Sequence, residues 1–297
     1  MTALHGWIVI DKPAGPGSTQ CVSAVKRALR AGGYAKAKVG HGGTLDPLAT
    51  GVLPIALGEA TKLAGRMLDS DKAYAFTVRF GAETDTLDLE GAVIGTSDVR
   101  PTRDAIAAVL PRFTGPIDQV PPAYSAIKVD GRRAYDRARA GETVAMKTRA
   151  VTIRALTLEP AGAADEATFV AHVSKGTYIR SLARDIACAL GSVGHVTMLR
   201  RLKAGPFDLD RAISLDKLRD LGEGRALEDA ILPLTAGLDD IPALSVAADQ
   251  AQALREGRRL IGSFAHQGLT LATHGSVPVA LVEVVGPEAR VVRGFNL

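Results

Sequence analysis

Apolar residues recur along the chain with two different periods, and each period predicts its own kind of element. GWIVIDKPAG (6–15) stays apolar up to a Lys-Pro pair and predicts a short strand ending in a turn. STQCVSAVKRALRAGG (18–33) predicts a helix, with Ser18 or Thr19 as N-cap and glycines at its stop. GVLPIAL (51–57) reads as a buried strand, and GEATKLAGRML (58–68) as the start of a helix. In KAYAFTVRFG (72–81), Tyr74, Phe76, Val78 and Phe80 share one face, which is a strand pattern. TDTLDLEG follows as a polar turn, and PTRDAIAAVLPRF as a helix capped near Thr102.

The second half continues the mixture. Residues 117–141 predict a Pro-rich loop, a strand, an Asp-Gly turn and a basic helix. AVTIRALTLEP and EATFVAHVS pair as antiparallel strands across Ala161 to Asp165. In SKGTYIRSLARDIACALG (174–191), Ile179, Leu182, Ala183, Ile186 and Leu190 form a helical stripe that Gly191 stops, with Tyr178 and Arg180 off it at the mouth. GHVTMLRRLKAGPF reads as a strand leading to a turn. Strands and helices without regular βαβ alternation predict an α+β fold around a mostly antiparallel mixed sheet flanked by helices. The tail, with one helix (DQAQALREG) and two strands (VPVALVEVVG and ARVVRGF), predicts a small second domain. The expected division is 1–236 and 237–297, with 120–150 as an insertion.

Composition changes this picture little. The 297 residues suffice for one large domain and a small one, and 46% hydrophobic with 23% charged residues is ordinary for a folded soluble protein. Two cysteines far apart, Cys21 and Cys188, exclude a disulfide framework and point to a reducing, cytosolic setting. Six histidines without ligand spacing argue against a metal. The apolar WIVI lacks the basic leader of a signal peptide and the length of a membrane span. The formal charge is only +4, but the cations cluster: Lys26, Arg27, Arg30, Lys36 and Lys38; Arg132, Arg133, Arg137 and Arg139; Arg200, Arg201 and Lys203. Any one group could be a solvated face; three beside separate polar motifs favour a nucleic acid.

The candidate chemistry lies in VGHGGTLDPLATGVLPIALGEATK (39–62). A phosphate loop would need Gly-Lys where Ala56 and Leu57 stand. Dinucleotide fingerprints starting at Gly40 or Gly15 end on Leu45 or Gln20 instead of glycine. What remains is one carboxylate, Asp46, held in extended geometry by Pro47 after Gly40, Gly42 and Gly43, which allow positive φ and close approach. Taken alone, that is also how a simple Asp-Pro turn reads.

Five segments together resemble the TruB family of tRNA pseudouridine synthases: DKPAGPGS (11–18), GHGGTLDPLATGVLPIALGEATK (40–62), KAYAFTVRFG (72–81), SKGTYIRSLARDIA (174–187) and LRRLKAGPF (199–207). The resemblance runs in order from residue 6 to about 235 and is weak in the tail, where it implies a PUA-like RNA-binding domain. It implies the pseudouridine synthase fold, and isomerisation of uridine 55 in the T loop of tRNA without cofactor or metal, by one cytoplasmic chain acting as a monomer. Asp46 matches the nucleophile, which attacks the sugar C1′ or the base C6 or starts elimination. Arg180 matches its paired arginine, and Tyr178 a second active-site tyrosine. Tyr74 matches the tyrosine stacking on the base, Leu199 an apolar contact, and His41 a residue replacing the extruded uridine. Lys12, with Pro13, matches a substrate-site motif of mainly structural character. GGTL (42–45) departs from relatives with a bulkier residue after the histidine. A relative acting on another RNA, or a non-catalytic tRNA-binding factor, is the alternative.

Overall fold

A computed structural model describes residues 4–125, 127–129, 131–160, 163 and 165–297. Its centre is a ten-stranded mixed sheet. Gly6–Lys12 (β1), Val39–His41 (β2), Thr50–Leu57 (β3) and Lys72–Phe80 (β4) supply the first part. Across the sheet the order is Ala212–Ile213, β1, β3, Gly194–Ala204, β4, Glu166–Val173, Arg149–Leu158 and Gly115–Gln119. Two pairings are parallel, β1 with Ala212–Ile213 and β3 with Gly194–Ala204; the others are antiparallel.

β1 and β3 are buried on both faces, which explains their nearly unbroken apolar runs. Ile8, Ile10, Leu53, Ile55 and Leu57 enter one core with Phe76, Val78 and Phe80, under the helices Ser18–Ala31, Ile179–Ala189 and Leu215–Glu223. Trp7, Val9, Val52 and Ala56 point to the other side and form a second core with Leu271, Leu281 and Phe295 of the tail. That alternation is the period of two expected of a pleated strand.

The tail forms a five-stranded sheet, Ala243–Ser245, Gly268–His274, Val277–Val285, Glu288–Gly294 and Leu260–Ile261 in spatial order, with the helix Ala248–Arg255. Three of these strands have no counterpart in the sequence reading, because GLTLATH is short and polar-interrupted and the other two span only two or three residues.

Other differences have local causes. Residues 58–68 split into a 3-10 turn, Gly58–Leu63, and a single α-turn, Ala64–Asp69. The first helix is capped at Gly17, whose N–H donates to the Gln20 side chain at 2.6 Å; the Ser18 hydroxyl is engaged elsewhere. The Thr102 cap stands as predicted, accepting from Ala105 N at 3.2 Å. The helical stripe starts where expected, with the helix Ile179–Ala189 capped at Tyr178. Asp130 of the Asp-Gly turn and residues 161, 162 and 164 of the hairpin turn lie outside the described residues, as does the side chain of Arg133.

Candidate active site

A cleft of about 270 Å³ lies across the middle of the sheet. β4 contributes Lys72 and Tyr74, the neighbouring strands contribute Leu199, Arg201 and Val173, loops contribute Asp46, Ser125 and Tyr178, and the first turn of the helix Ile179–Ala189 contributes Arg180. Of the residues singled out from sequence, Asp46, Tyr74, Tyr178, Arg180 and Leu199 therefore meet in one place. His41 and Lys12 stand outside it.

Asp46 presents a partly exposed carboxylate on a turn that is held from several sides. Lys12, fully buried, donates to the carbonyls of Pro13 (2.9 Å), Pro16 (2.8 Å) and Pro47 (3.1 Å). These bonds agree with the mainly structural character of its motif: the buried ammonium is used on backbone carbonyls and positions the Asp-Pro turn. Ser18 Oγ accepts from Leu45 N at 2.8 Å and donates to Leu45 O at 3.2 Å. Arg201, also buried, donates to Val52 O at 2.7 Å and to Thr44 O and Gly43 O at 3.3 Å. Of the three glycines around His41 only Gly43 adopts a positive φ, 137°. Gly51, at φ 99°, pairs with Arg201, and a Cβ there would lie 2.1 Å from the Arg201 carbonyl, so no other residue fits the crossing.

Arg180 is the hub. Its Nε meets Asp46 Oδ2 at 3.0 Å and its Nη1 meets Asp88 Oδ2 at 3.3 Å, while the remaining donors reach Thr86 O (2.6 Å) and Tyr124 O (2.9 Å). The Arg180 and Asp88 side chains are 5% and 3% exposed and Asp46 36%, so the network leaves only the Asp46 end open to a ligand. Asp88 is fixed in turn by Thr86 Oγ1 at 2.6 Å and Glu90 N at 3.0 Å. It follows Leu87, which takes a left-handed φ of 64°, an uncommon conformation for a branched residue, stored beside the site.

Tyr178 caps the Ile179–Ala189 helix with its backbone, pinned by both ends of the Gln119 amide: Gln119 Oε1 accepts from Tyr178 N at 2.8 Å and Nε2 donates to Tyr178 O at 3.1 Å. Burial pushes the Tyr178 phenol above its usual range, keeping it protonated near neutrality. Lys72 uses its ammonium on the carbonyls of Met67, Leu68 and Ser70, and burial, with Arg201 nearby, lowers its pKa to about 8. Leu199 is buried against the floor and Tyr74 is half-exposed above it. His41, half-buried on β2, has an Nδ1 that is shielded and without a partner among the described residues, and burial and Arg201 push its pKa down.

Sequence reading missed Asp88, Gln119, Lys72 and the structural part played by Arg201. TDTLDLEG read as a plain polar turn, and Arg201 read as one of a basic group. That third group does not form a basic surface: Arg201 is buried, and Arg200 is engaged with Asp11 at 2.8 Å. Lys26, Arg27, Arg30, Lys36 and Lys38 are exposed as a basic face should be.

Comparison with known proteins adds to this geometry. Residues 28–179 match the family model described as TruB family pseudouridylate synthase (N terminal domain), and 180–239 match a tRNA pseudouridylate synthase B C-terminal domain. The junction of the two models falls between Ile179 and Arg180, inside the cleft. A tRNA pseudouridine synthase B from Zymomonas mobilis subsp. mobilis is 63% identical over 294 residues, covering 99% of this chain and 97% of its own length. One from Novosphingobium aromaticivorans is 65% identical over 298 residues, covering 99% and 98%. Among solved structures, a chain from an H/ACA RNP bound to a substrate RNA containing 2'-deoxyuridine superposes with a TM-score of 0.74 at 25% identity, covering 98% of this chain and 85% of that one.

Proposed function

The chain belongs to the TruB family of pseudouridylate synthases, and on that premise we propose that it converts uridine 55 in the T loop of tRNA to pseudouridine. The observation that carries this reading is the Asp46–Arg180 pair opening into a cleft otherwise floored by Leu199 and walled by Tyr74 and Tyr178. The cleft is at the small end for a ligand pocket, which suits one extruded base rather than a stacked pair.

Isomerisation breaks the bond from N1 of uracil to the sugar, turns the base and rejoins it through C5. Asp46 is the nucleophile in this reading, aimed by the guanidinium of Arg180, whose buried bonds allow it little freedom. Attack on C1′ or C6, or elimination, all begin from the same carboxylate. Tyr74 stacks on the base, Leu199 packs against its edge, and the protonated phenol of Tyr178 donates or later accepts a proton. The neutral imidazole of His41, on β2 beside the cleft, takes the space the base leaves. The 120–150 segment and the C-terminal sheet, read as PUA-like, extend the contact to the rest of the RNA.

The test is incubation with an unmodified T-arm stem-loop RNA, followed by detection of pseudouridine at the loop uridine. Pseudouridine at position 55 alone is expected. Product at another uridine, or only with a full-length RNA of another class, would overturn the substrate assignment.

A further inference from the structure

A nucleotide whose base enters the cleft leaves its two flanking phosphates at the mouth, where a cation with free donors would hold them. Most cations there are already engaged. Lys72 donates to three carbonyls, and Arg180 to two carboxylates and two carbonyls. Arg201 is buried against the backbone of the Asp46 turn. Lys175 pairs with Asp69 at 2.9 Å.

Arg149 is different. Among the described residues its guanidinium has no carboxylate or carbonyl partner. It lies over the ring of Tyr178, 6.0 Å from the centroid, and its Nη1 is 3.4 Å from where a Cβ would stand on Gly176. Tyr178 and Gly176 both line the cleft. Arg149 opens the strand Arg149–Leu158 and sits in register opposite Gln119, the residue whose amide pins the Tyr178 backbone. One rung of the sheet thus fixes both the tyrosine and the arginine above it. A guanidinium resting on an aromatic face is pre-organised, and its remaining N–H groups match two phosphate oxygens.

We propose that Arg149 is a phosphodiester-binding residue that grips an RNA backbone phosphate flanking the extruded uridine. The proposal rests on the reading above that an RNA nucleotide enters this cleft. It differs from a purely packing role, in which Arg149 would act only on Tyr178.

The experiment uses the full chain and T-arm stem-loop RNAs carrying a neutral methylphosphonate at one or the other phosphate flanking the target uridine. For Arg149→Gln, Kd on native RNA should rise about tenfold, and the slope of log K against log salt should flatten by about 0.7 to 1. The rate at saturation should stay within about twofold, and Arg149→Lys should recover part of the loss. With wild-type protein, one of the two methylphosphonates should reproduce the same loss, a comparison that needs no altered protein, and Arg149→Gln should lose nothing further on that RNA. The proposal is overturned if Arg149→Gln loses as much on both methylphosphonate RNAs as on native RNA. It is equally overturned if Kd is unchanged while the alkaline limb of the rate profile moves, which would assign Arg149 to Tyr178 alone. Wild-type protein that binds the RNA without isomerising it would count against the proposed reaction, while the binding comparison would still decide the role of Arg149.

Discussion

The turn carrying Asp46 and the segment from Arg132 to Glu142 both have basic side chains around them, and they use those charges in opposite ways. Around the turn, Lys12 and Arg201 are buried and spend their donors on carbonyl oxygens of residues 13, 16, 43, 44, 47 and 52. In the segment, Arg132 and Arg137 meet the two oxygens of Glu142 at 3.0 and 2.7 Å at the surface. A buried donor removed leaves unpaired carbonyls that water cannot reach, whereas a surface pair removed leaves groups that water solvates. Formal charge is the same in the two places; burial decides whether it shapes the backbone or stays available to a polyanion.

The largest effect that tests this contrast is at the group the turn exists to present. Asp46→Asn keeps the shape and loses the charge, so single-turnover isomerisation should fall by more than about a thousandfold while RNA affinity stays within about twofold. A loss smaller than tenfold would remove Asp46 from the role of nucleophile. Next comes the clamp. Arg201→Met leaves the carbonyls of Gly43, Thr44 and Val52 unpaired and should lower stability by about 3 kcal/mol or more, read from chemical denaturation. An unchanged midpoint would mean that the turn holds itself.

Buried cations also carry a cost that surface ones do not, and Lys72 makes it measurable. Its pKa of about 8 in the folded chain lies below the usual 10.5 of the unfolded one. Between those values the unfolded chain holds the proton and the folded chain does not, so stability contributed by this residue rises with pH. The stability difference between wild type and Lys72→Met should therefore shift in favour of wild type from pH 8 to 10.5; a flat difference would show that the ammonium is not desolvated. The smallest effect belongs to the surface. Arg132→Ala should cost less than about 1 kcal/mol and shrink further in high salt.

The fold class was readable because β1 and β3 are nearly unbroken apolar runs and β4 sets Tyr74, Phe76, Val78 and Phe80 on one face, and Asp46, Arg180, Tyr74, Tyr178 and Leu199 because they sit in long local motifs. What stayed hidden depends on contacts between distant segments. Gln119 looks like any polar residue before Val-Pro-Pro until its amide meets Tyr178, 59 positions on. Arg201 and Lys203 are two apart on one strand, yet only the first is buried, because a β-bulge between them breaks the period of two and leaves the Arg201 guanidinium on the carbonyls of Val52, Thr44 and Gly43. Lys12 shows the same limit: its place in a motif is visible, but the carbonyls that surround it come from two loops.

The seam between the main sheet and the tail has a practical consequence. The chain contains a single tryptophan, Trp7, and it lies wholly inside that seam, 5.2 Å from the ring of Phe207 with its Nε1 donating to Leu234 O at 3.2 Å. Phe295, Leu271 and Leu281 close over the same core from the tail. Indole emission therefore reports the docking of the last sixty or so residues without any label, and says little about the cleft, whose aromatic groups are tyrosines. Cutting the chain after Gly237 would strip Leu271, Leu281 and Phe295 from the core that Trp7 belongs to, so a change in indole emission with intact far-ultraviolet dichroism would be the optical signature of an undocked tail.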